Sequence, residues 1–383
     1  MSSVEHSAAQ AILTIDLEAL KANWRDLAER SAPAECSAVV KADAYGLGIQ
    51  RAVTALARAG CRTFFVAHLE EGIRARTSLR DAGFADQDTR VFLLHGLQPG
   101  AEVHPALFAF RLGPVLASVS EMEAWAAATS DSDAEPDPAI QIDTGMNRIG
   151  LAPSEVTALS QNLVAATGAN LLISHLVAAE EPDNPSNEAQ IVKFEQARRT
   201  TFPNLSASLS NSSGIFLSQK PHYDLVRPGY ALYGGNPCPG RPNPMRPVVA
   251  LHAALLQLRE IEAGESVGYN GRWIAQRPTQ LATIGVGYAD GLPRNARTVG
   301  MGLGPHALLG GVPCPLVGRV SMDLSILDVT DAPADLLRPG ALVEFLGSGT
   351  TVDDLGTQTG TIGYEILTNL GRRYHRAYLE NAT

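Results

Sequence analysis

The sequence predicts an α/β protein with an N-terminal (β/α)8 TIM barrel and a C-terminal domain that is mostly β. Three observations lead to this prediction. Short apolar runs alternate with amphipathic helical segments through roughly the first 230 residues, a proline-rich segment then interrupts the pattern, and the apolar runs beyond it are separated by Gly and Pro turns. Parallel strands need helical crossovers, and eight such strands can close into a barrel.

The alternation starts after a short opening strand, Ala11–Ile15. Asp16 can cap the helix that follows, in which Leu20, Trp24 and Leu27 recur on one face at helical spacing. Eight further apolar runs are predicted as the barrel strands: Ala38–Lys41, Thr63–Ala67, Val91–Leu94, Pro114–Ala117, Ile140–Asp143, Leu171–His175, Ala207–Ser210 and Asp224–Arg227.

The segment Asn236-Pro-Cys-Pro-Gly-Arg-Pro-Asn-Pro-Met-Arg-Pro247 can continue neither a helix nor a central strand, so we interpret it as a linker. We therefore divide the chain into a barrel domain, residues 11–240, and a C-terminal β domain, residues 241–383. The strands predicted in the second domain are Ala250–Leu258, Gln280–Tyr288, Ala307–Leu316, Ser325–Val329 and Ala341–Leu346, with one helix at Ile362–Leu370.

Composition excludes several classes of protein. With 383 residues, of which 45% are hydrophobic, the chain can bury a large core, and a net charge of −10 argues against a nucleic-acid partner. No uncharged apolar run is long enough to span a membrane, and the N-terminus lacks the features of a secretory signal. The isolated cysteines favour reduced thiols in the cytoplasm over disulfides or a zinc site; they are Cys36, Cys61, Cys238 and Cys314.

Catalytic residues of a barrel are expected at the carboxyl ends of its strands. Lys41 follows the first barrel strand, where burial would lower its pKa and make it a nucleophilic amine, although an isolated lysine more often reaches solvent at the rim. Arg148, His175 and Arg227 lie at or just after the ends of the fifth, sixth and eighth strands. Each of them alone is a weak signal, because a lone arginine or histidine is usually structural.

The segment Ser210-Asn211-Ser212-Ser213-Gly214, after the seventh strand, is rich in small polar residues. Hydroxyls and backbone N–H groups that open a helix bind anions, although a plain N-cap would have the same sequence. Arg227-Pro-Gly229-Tyr230 supplies further backbone N–H groups after the eighth strand. A phosphate site and a strand-end lysine in one barrel mouth favour pyridoxal 5'-phosphate bound to Lys41 as a Schiff base.

Nine short motifs resemble, in their order along the chain, those of bacterial alanine racemases, which are fold-type III pyridoxal-phosphate enzymes. Single motifs are modestly specific, but nine in order are highly specific, and they extend over almost the whole chain. They are Lys41-Ala-Asp-Ala-Tyr45-Gly, Ile142-Asp-Thr-Gly-Met-Asn-Arg148, Ser174-His175, Asn211-Ser212, Val226-Arg227-Pro-Gly, Val267-Gly-Tyr269, Gly287-Tyr288-Ala-Asp-Gly291, Gly318-Arg-Val-Ser-Met322-Asp323 and Thr361-Ile-Gly-Tyr364-Glu365.

The resemblance implies an isomerase that interconverts L-alanine and D-alanine and supplies D-alanine for peptidoglycan. It also implies pyridoxal 5'-phosphate as the cofactor, no metal, and a cytoplasmic head-to-tail homodimer whose active sites take residues from both subunits. The opening strand is expected to join the C-terminal domain. A broad-specificity amino-acid racemase of the same fold remains the alternative, whereas Arg227 disfavours a decarboxylase and the second domain disfavours a non-catalytic cofactor carrier.

Racemisation needs two groups on opposite faces of the substrate, because one base cannot easily reach both faces. By the resemblance, Lys41 is the base on one face and Tyr269 of the partner subunit serves the other. A phenol with a pKa of about 10 needs a cationic neighbourhood, and the resemblance places His175 against Tyr269 with Arg227 nearby. Arg227 would contact the pyridine nitrogen of the cofactor, which favours racemisation over decarboxylation.

The resemblance also assigns the other site residues. Arg148 and the backbone of Met322 of the partner subunit would bind the substrate, and Tyr288, Arg294 and Asp323 would line an entrance that admits small side chains. Besides Lys41, the residues that would bind the cofactor are Tyr45, His175, Asn211, Ser212, Arg227, Gly229, Tyr230 and Tyr364.

One position departs from the commoner family pattern. Many members carry a carbamylated lysine two residues before the Asp of Asp-Thr-Gly-Met, and Gln141 stands there in this chain. A neutral amide would hydrogen-bond Arg148 more weakly than a charged group does. We therefore expect no dependence on bicarbonate, and substrate affinity is the property that this change puts in doubt.

Overall fold

A computed structural model describes residues 10–98, 103–130, 136–296 and 304–380. They form two units. The barrel unit contains Leu20–Leu232 and Asn236–Arg246, and the β unit contains the chain up to Ala19, Tyr233–Gly235 and the chain from Pro247 onward. No helix among the described residues is long and apolar enough to cross a membrane.

The chain opens with strand β1 (Ala11–Asp16), which lies in the β unit, and the parallel strands of the barrel unit follow. β2 leads within one residue into β3, and β3 to β9 form a seven-stranded parallel sheet in chain order. The barrel strands are β2 (Glu35–Cys36), β3 (Ala38–Val39), β4 (Thr63–Val66), β5 (Arg90–Leu93), β6 (Leu112–Leu116), β7 (Ala139–Gln141), β8 (Leu171–Ile173), β9 (Ser206–Ser208) and β10 (Leu225–Val226).

Hydrogen bonds at β10 close the sheet into a barrel. β10 pairs with β2 in parallel, and the N–H of Ser37 donates to the carbonyl oxygen of Val226 at 3.0 Å. On its other side, the N–H of Asp224 donates to the Ala207 carbonyl oxygen at 3.0 Å. With β2 and β3 counted as one strand, eight parallel strands surround the axis, and the predicted α/β fold class with an N-terminal barrel is confirmed.

Helices alternate with these strands. Helix Ile49–Ala59 buries Ile49, Val53 and Leu56 and ends at Gly60, whose φ of +121° lies where side chains are disfavoured. The other helices in the described part of the chain before residue 232 are Leu17–Ser31, the left-handed Lys41–Tyr45, Leu69–Asp81, Ala106–Ala109, Val119–Thr129, Pro153–Ala158, Gln161–Ala166 and Pro185–Thr200, with short 3-10 turns at Asp86–Asp88, Ser213–Phe216 and Tyr230–Tyr233.

The proline-rich segment is held to the barrel unit. The side-chain amide of the buried Asn23 donates to the carbonyl oxygens of Leu232 at 3.2 Å and Arg246 at 2.9 Å. Its oxygen accepts the N–H of Arg246 at 2.8 Å. One side chain therefore holds Leu232, four residues before the segment that we interpreted as a linker, and Arg246 near its end.

The β unit contains a mixed eight-stranded sheet with the order β16-β15-β18-β11-β1-β19, in which β14 pairs with β11 and β17. β1 lies antiparallel to β11 and parallel to β19. Besides β1, the strands of the β unit are β11 (Val249–Ile261), β12 (Ser266–Val267), β13 (Trp273–Ile274), β14 (Thr279–Ile284), β15 (His306–Leu309), β16 (Val312–Pro315), β17 (Ser325–Asp328), β18 (Leu342–Leu346) and β19 (His375–Leu379). The unit also contains helices Val352–Thr359 and Gly363–Thr368 and 3-10 turns Tyr269–Gly271, Tyr288–Asp290 and Ala334–Leu336.

The sequence prediction for this unit missed strands β12, β13 and β19, and it differs from the structure at two further places. The single strand predicted at Ala307–Leu316 is a hairpin, because Gly310 and Gly311, with φ of +60° and +82°, reverse the chain between β15 and β16. The prediction also missed helix Val352–Thr359, whose N-cap Thr351 accepts the N–H of Asp354 at 3.1 Å. A cap followed by Asp at N3 was the available signal.

Candidate active site

The carboxyl ends of the barrel strands collect most of the predicted site residues of the barrel unit. Lys41 follows β3, Arg148 follows β7 and His175 follows β8, while Ser212 and Arg227 follow β9 and β10. Parallel strands place their carboxyl ends at the same edge, so these side chains share one mouth. Their mutual electrostatic effects agree with this, since Lys41, Arg148 and Arg227 all lower the pKa of His175.

Lys41 begins a turn of left-handed backbone. Ala42, Asp43, Ala44 and Tyr45 have φ between +53° and +56°, a conformation that residues other than glycine rarely adopt. The half-buried lysine has a lowered pKa, chiefly because of burial and secondly because of Arg148. A lowered pKa increases the fraction of neutral amine, which is the reactive form.

Tyr45 and Ser212 form a pocket of hydrogen-bond donors beside Gly229. A Cβ built on Gly229 would lie 2.3 Å from the Tyr45 hydroxyl, so a larger residue there would force the Tyr45 side chain to move. The Ser212 hydroxyl oxygen accepts the N–H groups of Gly229 at 3.0 Å and Ala231 at 3.2 Å. Its proton remains available to donate, and burial raises the pKa of Tyr45, which keeps that hydroxyl protonated as well.

Asn211 and Tyr230 adjoin Ser212 and Gly229 along the chain, but their side chains have structural surroundings. Asn211 accepts the N–H of Gly214 with its side-chain oxygen at 2.9 Å and so caps the 3-10 turn Ser213–Phe216. The longer helix implied by the sequence is therefore only this short turn. Tyr230 is buried at the start of the next 3-10 turn.

Arg227 is buried and bridges two strand ends. Its guanidinium donates to the carbonyl oxygen of Ser208 at 2.8 Å and to the carbonyl oxygen of Ser174. Desolvation lowers its pKa to about 10, so it is cationic at neutral pH. The cation lies 5.9 Å from the centre of the Phe65 ring.

His175 is neutral at physiological pH. Burial is the largest cause, and the nearby cations Arg227, Arg148 and Lys41 add to it, so that its pKa falls to about 3. We expected the phenol of Tyr269 to lie in a cationic neighbourhood that includes His175. The positive charge is instead carried by the arginines, because a second cation beside them would be unfavourable.

Gln141 holds the loop that carries Arg148. Its buried side chain donates from Nε2 to the carbonyl oxygen of Ile149 at 3.0 Å. The expected hydrogen bond with the Arg148 side chain is not formed. The Arg148 side chain is exposed. A Cβ on Gly150, at φ +123°, would lie 2.8 Å from the Ile142 carbonyl carbon, so the loop also requires glycine there.

A buried polar network supports the ends of β7 and β8. The Ser174 hydroxyl donates to the Ile142 carbonyl oxygen at 2.8 Å and lies 2.8 Å from the Thr144 hydroxyl. Gln190 donates to the carbonyl oxygen of His175 at 2.8 Å and to the Thr144 hydroxyl at 3.0 Å. Gln190 was not predicted, since a polar residue within a long helix gives no local signal of burial.

The remaining predicted site residues lie in the β unit, where the loops of Tyr288 and Met322 adjoin each other. The N–H of Tyr288 donates to the Ser321 carbonyl oxygen and the N–H of Ala289 to that of Met322, both at 3.0 Å. Tyr269 is 64% exposed, and Tyr288 and Met322 are also exposed. Of the others, Asp323 pairs with Arg373 at 2.7 Å, Arg294 is exposed, and Tyr364 is half-buried in helix Gly363–Thr368.

Comparisons with known proteins cover nearly the whole chain. The family models of the alanine racemase N-terminal and C-terminal domains match residues 15–237 and 248–378. An alanine racemase of Methylobacterium nodulans is 53% identical over 374 residues, with 97% of each chain covered. A catabolic alanine racemase of Mesorhizobium japonicum is 47% identical over 378 residues, covering 98% of this chain and 95% of the relative. The crystal structure of alanine racemase from Bartonella henselae, with covalently bound pyridoxal phosphate, is 39% identical and gives a TM-score of 0.89, covering 97% of this chain and 100% of that one.

Proposed function

Because this chain belongs to the alanine racemase family, we propose that it interconverts L-alanine and D-alanine with the help of pyridoxal 5'-phosphate. The proposal is supported mainly by the residues that meet at the barrel mouth. There a lysine of lowered pKa, Lys41, shares one strand edge with Arg148, a neutral His175 and the donor pocket of Ser212. The Bartonella henselae relative is described with covalently bound pyridoxal phosphate, which also supports this cofactor.

The residues at the mouth fit this cofactor. A phosphate needs several hydrogen-bond donors and space for its oxygens, and Tyr45, Ser212 and Gly229 offer two hydroxyls and a surface free of Cβ. Lys41 would hold the cofactor covalently, and Arg227 would face its ring nitrogen. Asn211, Tyr230, His175 and Tyr364 are proposed as further cofactor-binding residues. When bound, pyridoxal phosphate withdraws electrons from the substrate and makes its α-proton acidic.

The chain's own residues would bind the substrate and move the proton. Arg148, on a loop held by Gln141, would pair with the substrate carboxylate, together with the backbone of Met322 from a partner subunit. Lys41 would take or return the α-proton on one face. Arg227 stays cationic at neutral pH and would keep the ring nitrogen unprotonated, which limits side reactions such as decarboxylation.

Tyr269 is proposed as the acid–base group of the opposite face, contributed by the partner subunit of a homodimer. A phenol that is 64% exposed lacks the dry surroundings that proton transfer requires, so another surface should cover it. The β unit also exposes Tyr288, Met322, Leu324 and Ile362. Exposed apolar side chains of this kind are typical of protein interfaces. Tyr288, Arg294 and Asp323 would then narrow the entrance for a small substrate.

We place the activity in D-alanine supply for peptidoglycan, in the cytoplasm. The two enantiomers have equal free energies in water, so consumption of D-alanine would draw the reaction toward it. In this proposal the barrel, residues 11–240, binds the cofactor, and residues 241–383 contribute the residues that complete a partner's site. Deletion of the gene should create a requirement for D-alanine in growth medium.

Circular dichroism of L-alanine incubated with the purified, cofactor-loaded protein tests the proposal. Decay of the signal to zero is expected for L-alanine, with L-serine, L-lysine and L-arginine unchanged. Decay for the larger amino acids as well would favour a broad-specificity racemase of the same fold. If no amino acid racemises although the cofactor is bound, the proposed activity is wrong.

A further inference from the structure

Glu71 ties the turn that begins at Lys41 to the end of a neighbouring strand. It is the third residue of helix Leu69–Asp81, and only 8% of it is exposed. Its Oε1 accepts the backbone N–H of Ala42 at 2.7 Å, and its Oε2 accepts the N–H of Ala67 at 2.8 Å, just beyond β4. One buried carboxylate therefore connects the residue after Lys41 to the barrel wall.

The left-handed turn needs such support. Its four residues with positive φ are not glycines, so the backbone does not favour this conformation by itself. The same helix contacts the turn a second time, since Arg74 donates to the Asp43 carboxylate at 3.1 Å. That carboxylate also accepts the N–H of Ile49 at 3.1 Å. Glu71 and Arg74 are three residues apart, so one helix face holds the turn at two points.

Glu71 also carries charge that acts on Lys41. Arg148 disfavours the ammonium form of the lysine, whereas Glu71 favours it. The charge of Lys41 also lowers the pKa of His95 and of His175, which follow two other strands. Removal of the Glu71 charge would leave the lysine facing a cation and two imidazoles without this compensation.

We propose that Glu71 is a positioning residue for Lys41, which holds the left-handed turn against β4 and thereby presents the lysine amine in the barrel mouth. The inference rests on the proposed role of Lys41 in holding the cofactor. It adds a residue that touches neither cofactor nor substrate but decides how the reactive amine is placed.

Glu121 provides a matched control. It is the third residue of helix Val119–Thr129, as Glu71 is of its own helix. Its carboxylate likewise accepts two backbone N–H groups, from Ala117 at 2.6 Å and Leu97 at 3.2 Å. Neither amide adjoins a lysine. Glu121→Gln therefore removes the same kind of cap without touching the Lys41 turn.

The test is competitive acetylation of the full-length protein freed of cofactor, between pH 6 and 11, with each lysine quantified by mass spectrometry. The chain has only four lysines, at positions 21, 41, 193 and 220, so Lys193 and Lys220 serve as internal references. Glu71→Gln should lower the midpoint of Lys41 labelling by about one pH unit, because loss of a nearby anion favours the neutral amine. It should also weaken uptake of pyridoxal phosphate about tenfold, whereas Glu121→Gln should change neither quantity.

Equal behaviour of the two variants in both measurements would overturn the inference and leave Glu71 as a helix cap. If Glu71→Gln does not fold, hydrogen exchange of the wild-type Ala42 amide decides. Exchange as slow as that of Val40, whose N–H donates to the Phe65 carbonyl oxygen across the barrel, supports the inference, and exchange at the rate of an open loop contradicts it. Failure of the wild type to take up cofactor would overturn the proposed function alone, since the labelling midpoints need no cofactor.

Discussion

The side-chain amide of Gln141 donates a hydrogen bond to the carbonyl oxygen of Ile149, one residue beyond Arg148, over 3.0 Å. The backbone carbonyl oxygen of Gln141 accepts the N–H of Leu151 at 2.9 Å, which closes the loop. Gln141 therefore acts on Arg148 through the backbone and not through a charge. In this chain, Gln141 therefore fixes the loop that carries Arg148.

Gln141→Leu should raise the KM for alanine about three- to tenfold with a smaller change in kcat. The variant leaves the Ile149 carbonyl oxygen without this donor, and a lost hydrogen bond costs about 0.5–1.5 kcal/mol. Gln161→Leu is the control, because Gln161 makes a similar bond to the Thr201 carbonyl oxygen at 3.1 Å, away from the mouth. Steady-state kinetics should show no bicarbonate stimulation of the wild type, and an equal KM change in both variants would contradict the loop assignment.

Gly229→Ala should weaken cofactor binding at least tenfold. Its new methyl group would lie 2.3 Å from the Tyr45 hydroxyl, which has to move. Adding Tyr45→Phe removes that oxygen, so the double variant should lose less affinity than the two single variants combined. Titration of the cofactor-free proteins with pyridoxal phosphate measures this coupling, and strict additivity would mean that the two residues do not meet.

Arg227→Met should lower the free energy of unfolding by about 1–3 kcal/mol. The carbonyl oxygen of Ser174 would then be buried without this donor, which costs about that much, whereas the Ser208 carbonyl oxygen would keep the N–H of Ser174 at 3.2 Å. Arg277→Met removes an exposed arginine that pairs with Asp331, so it should cost less than about 1 kcal/mol. Urea unfolding of the cofactor-free proteins compares the two, and similar losses would argue against a buried bridging role.

His175 should make the protein sensitive to acid between pH 6.5 and about 3. Its pKa is about 3 in the folded chain against 6.5 as the ordinary value, so the unfolded state binds a proton in this window that the folded state does not. The free energy of unfolding therefore falls as the pH decreases, by about 1 kcal/mol per pH unit from this group. His175→Asn should flatten that part of the pH profile, as measured by urea unfolding at pH 7.5 and 5. An unchanged slope would mean that His175 is charged in the folded state.

Tyr269→Phe should reduce racemisation about 100-fold or more, since a positioned acid–base group contributes about that factor. The variant should fold normally, because 64% of the side chain is exposed and only the hydroxyl is lost. Solvent deuterium should still enter the α-position through Lys41 from one enantiomer only. Tyr378→Phe, on β19 of the same unit, controls for general effects of losing a phenol. Full activity in both directions would disprove the two-base assignment.

The order of elements in the barrel unit was predictable from the sequence. Most of its eight strands are short apolar runs bounded by turn residues, so local pattern located them, although β9 (Ser206–Ser208) contains two serines. The strand ends then indicated Lys41, Arg148, His175 and Arg227 as neighbours. The hairpin of β15 and β16 was not predicted, because its two-glycine turn lies within an apolar run. Helix Val352–Thr359 was not predicted either, because its residues are a mixture that includes many polar side chains.

Periodicity and ordered motifs in the amino-acid sequence were enough to predict the fold class, the family and the residue types at the barrel mouth. The behaviour of those residues depends on their contacts in three dimensions. The left-handed turn after Lys41, the neutral state of His175 and the contact of Glu71 with Ala42 depend on burial and on groups brought together from distant parts of the chain. Hydrogen bonding and desolvation act over a few ångströms in space, and no local pattern of residues encodes which groups will meet there.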